Sequence, residues 1–348
     1  MQCIPPRPLS CLQALRCQNF GIRHFNSITS TGALSLNQVP VLPSWDPEPF
    51  HVLAYIPALP YQFPRSASDL PSACSRWFTH QSWVPSDGKV NPDHAIWEIT
   101  KSSELNPSFW TKYQDTLVPL ELTSTSDDIS ESSEEETFER VEEAPLEILL
   151  TYLSPKSNQP TVPPGHQRSQ RNHSIYLAQC SLAALPPALQ QDLPTPSLIT
   201  HKSSSSPIKG DIYASSLWLG RPPTYTPLHR DPNPNIFIQL AGQKVVRLLP
   251  PEIGAAVFAD VQARLNHRQD TSANIRGDEM MIGPEKAVLH NAIWPIKDGA
   301  SPYEDFMTTY GQETTLGMGD ALFIPKGWWH SVKGVGTGVT ASVNWWFR

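Results

Sequence analysis

Residues 226–247 read TPLHRDPNPNIFIQLAGQKVVR. Two apolar runs, NIFIQL and QKVVRLL, flank an Ala241-Gly242 step, and a Pro/Asn cluster precedes them. Pro, Asn and Gly punctuate the chain, and the β-branched and aromatic residues between them suit pleated strands. The pattern predicts strand, turn, strand, glycine turn, strand, with the last two runs folded back on each other as a hairpin. Outward from this stretch the same rhythm continues. IYASSLWLG (212–220) comes before it, and GDALFIPKG, WWHSVKG and TGVTASVNWWF follow between residues 319 and 347. Many short strands separated by turn signals predict an all-β sandwich or barrel.

Side chains two apart on a strand share a face, so His229 and Asp231 point the same way. His330 supplies a second imidazole from a strand-like setting far downstream. Two histidines and one carboxylate form the facial set that suits non-haem iron(II). The carboxylate cancels only one of the ion's two charges, and three octahedral positions stay open, enough for a chelating 2-oxo acid and dioxygen. Lys244, placed by the expected hairpin, turns toward the same cavity as Asn235 and Phe237. A lysine buried among valines and leucines calls for an anionic partner, such as the far carboxylate of 2-oxoglutarate. Thr226 and Tyr176 add neutral hydroxyls. In the last strand Asn344 shares a face with Ser342 and Trp346, while Val343, Trp345 and Phe347 take the other. The plainer alternative makes His229 and His330 core histidines, with Asp231 capping a turn before Pro232. An HxD pair alone is weak; joined to Lys244, a distal WWH and an Asn-bearing final strand it is a specific pattern.

At 348 residues the chain has room for one large domain or two ordinary ones. Its 36 prolines favour strands and loops over a helical bundle. The formal charge of −7 is concentrated in residues 121–147, which hold eleven acidic residues against one base, Arg140. The remainder is close to neutral, without the basic block that phosphate binding needs, so nucleic acid is not expected as a partner. Cys3, Cys11, Cys17, Cys74 and Cys180 form no CxxC pair, which argues against a disulfide framework or zinc ribbon. No run of 18 apolar residues predicts a membrane span.

Residues 1–45 contain Arg7, Arg16 and Arg23 but no acid, which fits a mitochondrial presequence or a disordered leader; cytoplasm or nucleus is the alternative location. Residues 46–173 read as an N-terminal region of short helices and extended pieces. It carries a solvated acidic insertion at 121–143, an amphipathic segment at 144–153 and a Pro-rich loop at 154–173. Residues 174–348 hold the strands and the candidate site, interrupted by an excursion at 251–316 that begins with a plausible helix, EIGAAVFADVQARL. The remaining histidines, among them His51, His80, His267 and His290, read as surface or packing residues.

LWLGRPPTYTPLHRDPNPNIFIQLAGQKVVRLLPP, GDALFIPKGWWH and SVNWWF resemble the JmjC, or cupin-like, oxygenases. The likeness is nearest to the hydroxylase-type branch that includes the asparaginyl hydroxylase acting on hypoxia-inducible factor. It covers roughly residues 174–348 well and 45–120 more loosely. It implies a mainly β, double-stranded β-helix (jelly-roll) fold, with Fe(II), 2-oxoglutarate and O2 as cofactor and co-substrates. His229, Asp231 and His330 match the metal ligands, and Lys244 matches the lysine that pairs with 2-oxoglutarate. Thr226, Tyr176, Asn235 and Asn344 match further co-substrate contacts, with Gln179 and Trp346 as cavity neighbours. The 98 residues between Asp231 and His330 exceed the spacing in compact members and fall where the resemblance places substrate-covering loops. The leading expectation is hydroxylation of a protein or peptide side chain, with succinate and CO2 released. Lysine demethylation or RNA-base hydroxylation keeps the chemistry and changes the substrate, and a metal-holding cupin module without turnover is the alternative from another class. A homodimer is compatible with all of these.

Overall fold

The computed structural model describes residues 35–66, 70–82, 100–125, 137–154, 172–200, 207–265, 283–295 and 302–348. The strands of its first half are β1 (Asn37–Gln38), β2 (Tyr61–Phe63), β3 (Phe78–Ser82), β4 (Thr100–Leu105), β5 (Leu117–Thr125), β6 (Thr137–Pro145) and β7 (Asn172–Ser181). Those that follow are β8 (Ile212–Gly220), β9 (Thr224–Arg230), β10 (Asn235–Ala241), β11 (Gln243–Leu249), β12 (Gln312–Leu316), β13 (Ala321–Ile324), β14 (Trp329–Val335), β15 (Thr337–Gly338) and β16 (Thr340–Phe347).

They form a small sheet ordered β1-β12-β11-β14-β9, a large sheet ordered β2-β13-β10-β16-β8-β7-β5-β6, and a three-stranded β15-β4-β3 ribbon. From β8 to β11 each successive strand belongs to the opposite sheet, and the same exchange recurs from β12 through β14 to β16. This is the jelly-roll arrangement of a cupin, mainly antiparallel, as expected. Both sheets are covered on both faces. Between them lie Val39, Phe237, Val246, Leu248, Leu316, Leu322, Ile324 and Trp328. The outer face of the large sheet packs on the N-terminal segments through residues such as Phe50, Trp77, Leu149, Val343, Trp345 and Phe347. Helices Pro251–Arg264, Gly283–Ile293 and Glu304–Tyr310 cover the small sheet, with Val257, Ile293, Met307 and Trp329 at the contact. Burial on both faces explains why β10, NIFIQLA, is apolar almost throughout.

The expected hairpin does not form. β10 pairs with β13 and β16, and β11 pairs with β12 and β14, so Ala241-Gly242 carries the chain from one sheet to the other. Gly242 has φ +62° and lies where a Cβ would run into the Val339 carbonyl, so glycine serves a crossover here. Local turn chemistry is the same for both outcomes; the long-range partners decide.

Domain limits also differ from those read in the sequence. Leu36, Val39 and Leu42 are buried and β1 pairs with β12, so residues 36–42 of the supposed leader are part of the fold. Residues 1–34 lie outside the described residues, and the presequence expectation with them. The flanks of the supposed acidic insertion are strands: β5 pairs with β6 and β7. Val118, Leu120 and Ala144 reach the core while Glu139, Glu142 and Glu143 are on or near the surface, an alternation hidden under the charge. Residues 126–136 and 155–171 lie outside the described residues. The limit at 173/174 falls inside β7. The amphipathic segment is the helix Leu146–Leu153, burying Leu146, Leu149, Leu150 and Leu153. No helix among the described residues is long and apolar enough to cross a membrane.

Candidate metal centre

β9 supplies His229 and, one residue past its end, Asp231; β14 lies beside it and supplies His330 directly opposite His229. Among the described residues these three form a group whose ligand atoms all lie within 4.8 Å of one another. His229 Nδ1 is 2.9 Å from the Pro227 carbonyl and His330 Nδ1 is 3.2 Å from the Trp328 carbonyl. A carbonyl only accepts, so each Nδ1 carries a proton and donates, which turns each Nε2 toward Asp231. Those Nε2 atoms lie 3.9 Å and 3.6 Å from the two Asp231 carboxylate oxygens. Asp231 is held in turn: Trp346 Nε1 donates to Oδ2 at 2.7 Å and Asn235 Nδ2 does so at 3.3 Å. Asn344 Nδ2 donates to Asn235 Oδ1 at 3.0 Å, extending the chain into β16.

A bulge sets the inward directions on β9. His330 faces His229 and Val332 faces Thr226, so Ser331 stands opposite both Pro227 and Leu228. Pro227 has no N–H for the ladder, and the extra residue changes the phase of the strand. Thr226, His229 and Asp231 therefore all face the cavity, while Leu228 packs under the helices outside.

The cavity between the sheets is open at its mouth and measures about 400 Å³ with that mouth included. Lys244, only 3% exposed, reaches into it from β11. Its ammonium donates to Ser342 Oγ at 2.7 Å and to Tyr176 OH at 3.3 Å. Two imidazoles, one carboxylate, a buried ammonium and hydroxyls thus line one space. That donor set fits a divalent metal beside an anionic chelator.

Of the residues singled out in the sequence, His229, Asp231, His330, Lys244, Thr226, Tyr176, Asn235, Asn344 and Trp346 all line this cavity. Gln179 does not. It sits at a bulge in β7 with φ +52°, and the phase change there sends the chain from Tyr176 and Ala178, which pack with Trp218, to Cys180 in the outer core. Sequence reading assigned no role to Trp218 or Ser342, which also line the cavity and pair across β8 and β16. The parity of Ser342 with Asn344 in the last strand is the signal that marks it. His290 lies outside, edge-on to Tyr225, and burial lowers its pKa, with Lys333 adding to the shift. His80 is a packing residue bridging the Cys74 carbonyl and Ser103. Burial pushes the Cys74 thiol up to about 12 and Cys180 up to about 11, so both stay protonated and inert.

The family model for the cupin-like domain matches residues 91–348. Jumonji C domain-containing protein 5 of Drosophila melanogaster is 30% identical over 212 residues, 58% of this chain and 46% of that protein. Lysine-specific demethylase JMJ31 of Arabidopsis thaliana is 28% identical, over 51% of this chain and 28% of its own length. Lysine-specific demethylase 8 of Xenopus tropicalis is 26% identical, over 51% of this chain and 34% of its own length. The chain thus spans less than half the length of these curated relatives. With its domain matched, its jelly roll described and jumonji proteins among its relatives, the chain belongs to the JmjC, cupin-like family.

Proposed function

We propose that the chain is an Fe(II)- and 2-oxoglutarate-dependent oxygenase that hydroxylates a side chain of a protein substrate. The observation that carries this reading is the buried Lys244 ammonium in the same cavity as the His229–Asp231–His330 group. His229, Asp231 and His330 hold the metal through two Nε2 atoms and one carboxylate oxygen. Lys244, with Ser342 and Tyr176 beside it, binds the far carboxylate of 2-oxoglutarate as a charge-assisted pair. Thr226 adds a hydroxyl, and Asn235 and Asn344 line the end nearer the metal. Trp346 keeps the Asp231 carboxylate turned toward the histidines. When bound, iron(II) supplies the redox chemistry that couples oxidative decarboxylation of 2-oxoglutarate to insertion of the second oxygen atom into a C–H bond. The products are the hydroxylated side chain, succinate and CO2.

Anaerobic titration of the iron(II) protein with 2-oxoglutarate tests the site. A weak visible charge-transfer band that grows with 2-oxoglutarate and is lost in Asp231→Ala supports it. No band with iron demonstrably bound favours a metal-holding module without turnover.

A second reading, demethylation of methyl-lysine, draws support from two relatives named lysine-specific demethylases. Those names also support a protein substrate. Mass spectrometry of candidate peptides after turnover separates the two: gain of one oxygen supports hydroxylation, whereas loss of a methyl group with release of formaldehyde supports demethylation.

A further inference from the structure

The excursion between β11 and β12 reaches Thr226, beside the metal centre, through two hydrogen bonds in series. Trp294, at the end of helix Gly283–Ile293, is buried, and its Nε1 donates to Ser331 Oγ at 2.9 Å. Ser331 is fully buried and donates onward to the Thr226 carbonyl at 2.8 Å. That carbonyl closes the near side of the β9 bulge. The next carbonyl along, Pro227, is the one that accepts the hydrogen bond from His229 Nδ1. Ser331 is also flanked in sequence by His330 on the opposing strand. One hydroxyl therefore ties together the two strands that bring the histidines, at the position where their register breaks.

The outer partner is itself held firmly. Arg247 lies 4.2 Å over the Trp294 ring and donates to the Ile293 carbonyl, while Glu313 accepts from the Arg247 guanidinium at 2.6 Å. Lys333 lies 4.6 Å over the same ring. The indole can shift only if these contacts shift with it, so its N–H is a fixed donor.

We propose that Ser331 and Trp294 are positioning residues for the metal centre: they clamp the β9 bulge, and the clamp sets the direction of His229 Nε2 and of the Thr226 side chain. The assignment of the three ligands rests on the function proposed above; the clamp itself adds the excursion to the working parts of the site. Groups behind metal ligands tune affinity by fixing ligand orientation, with typical losses of about 10–100-fold when removed.

The test titrates the full chain with Co(II) alone, without 2-oxoglutarate, following the visible absorption of the bound ion. Trp294→Phe keeps an aromatic face for Arg247 and Lys333 but removes the N–H; Ser331→Ala removes the hydroxyl and Ser331→Thr keeps it. Both deletions are expected to weaken Co(II) about tenfold and alter its absorption envelope, while Ser331→Thr restores both. Affinity and spectrum unchanged in Trp294→Phe and Ser331→Ala, with or without a lower Tm, would overturn the clamp. Should Ser331→Ala fail to fold, Trp294→Phe alone decides. Failure of the oxygenase reading shows elsewhere, as a wild-type protein that binds Co(II) but develops no band with Fe(II) and 2-oxoglutarate.

Discussion

β11 and β14 present one chemistry to the cavity and another to the helices. On the inner face Lys244 lies among Ser342, Tyr176 and the metal-type ligands, with its ammonium 5.5 Å from the Phe237 ring. On the outer face Arg247 and Lys333 lie against Trp294, with Lys333 also over Tyr225. Burial, with help from Arg247, pushes the Lys333 amine down to about 8. Both faces therefore hold half-buried or buried cations, and a lysine in a strand is no guide to a binding site by itself. The inner cation converges with hydroxyls and ligand atoms on open space, whereas the outer cations cover aromatic rings and fasten a helix.

The sharpest way to break this comparison is to remove the carboxylate. Asp231→Ala is expected to abolish Co(II) or Fe(II) binding in equilibrium dialysis while the cooperative unfolding transition survives; retained metal would show that the inner face is not a metal site. Next, Lys244→Ala should raise the 2-oxoglutarate concentration for half-maximal band growth by about a hundredfold, because it removes one partner of a buried charge pair. Metal affinity should stay within about twofold of wild type. A 2-oxoglutarate titration identical to wild type would make Lys244 equivalent to the outer cations.

A smaller effect probes the outer layer. Gly254, on helix Pro251–Arg264, lies where a Cβ would run into the Trp329 ring. Gly254→Ala should cost about 1–3 kcal/mol in urea unfolding through overpacking, with a modest loss of metal affinity because Trp329 precedes His330. Stability equal to wild type would mean that the helix yields without cost.

The smallest effect concerns pH. The unfolded chain keeps the Lys333 amine protonated up to about 10.4, whereas the folded protein releases that proton near about 8. Between those values the unfolded state binds more protons, so this group makes stability rise with pH and disfavours the folded state below 8. Lys333→Met should therefore have the higher Tm below pH 8, by about a few degrees at most because the amine is partly exposed. The difference should shrink toward pH 10. A difference independent of pH would leave Lys333 no different from an ordinary surface lysine.

Much of the inner face was legible from residue order. His229 and Asp231 share a face by the period of two, and Ser342, Asn344 and Trp346 share another in the same way. The leucine spacing of residues 146–153 marks a helix, and the four leucines it buries are those the pattern selects. Such periodicities are local, and the sequence alone determines them. It also carried the family resemblance through its metal-type ligands and Lys244. What escaped depends on partners distant in the chain. The Ala241-Gly242 step reads as a hairpin until β13, β14 and β16 compete for the two strands. Thr226 and His229 face one cavity only because Ser331 stands opposite two residues, and Gln179 leaves that cavity because β7 is bulged in turn. The charged flanks of residues 126–136 conceal strands whose apolar positions matter only against a sheet. A bulge or a change of sheet alters few local preferences yet changes which face every later side chain occupies, so only the packing of four layers against one another decides it.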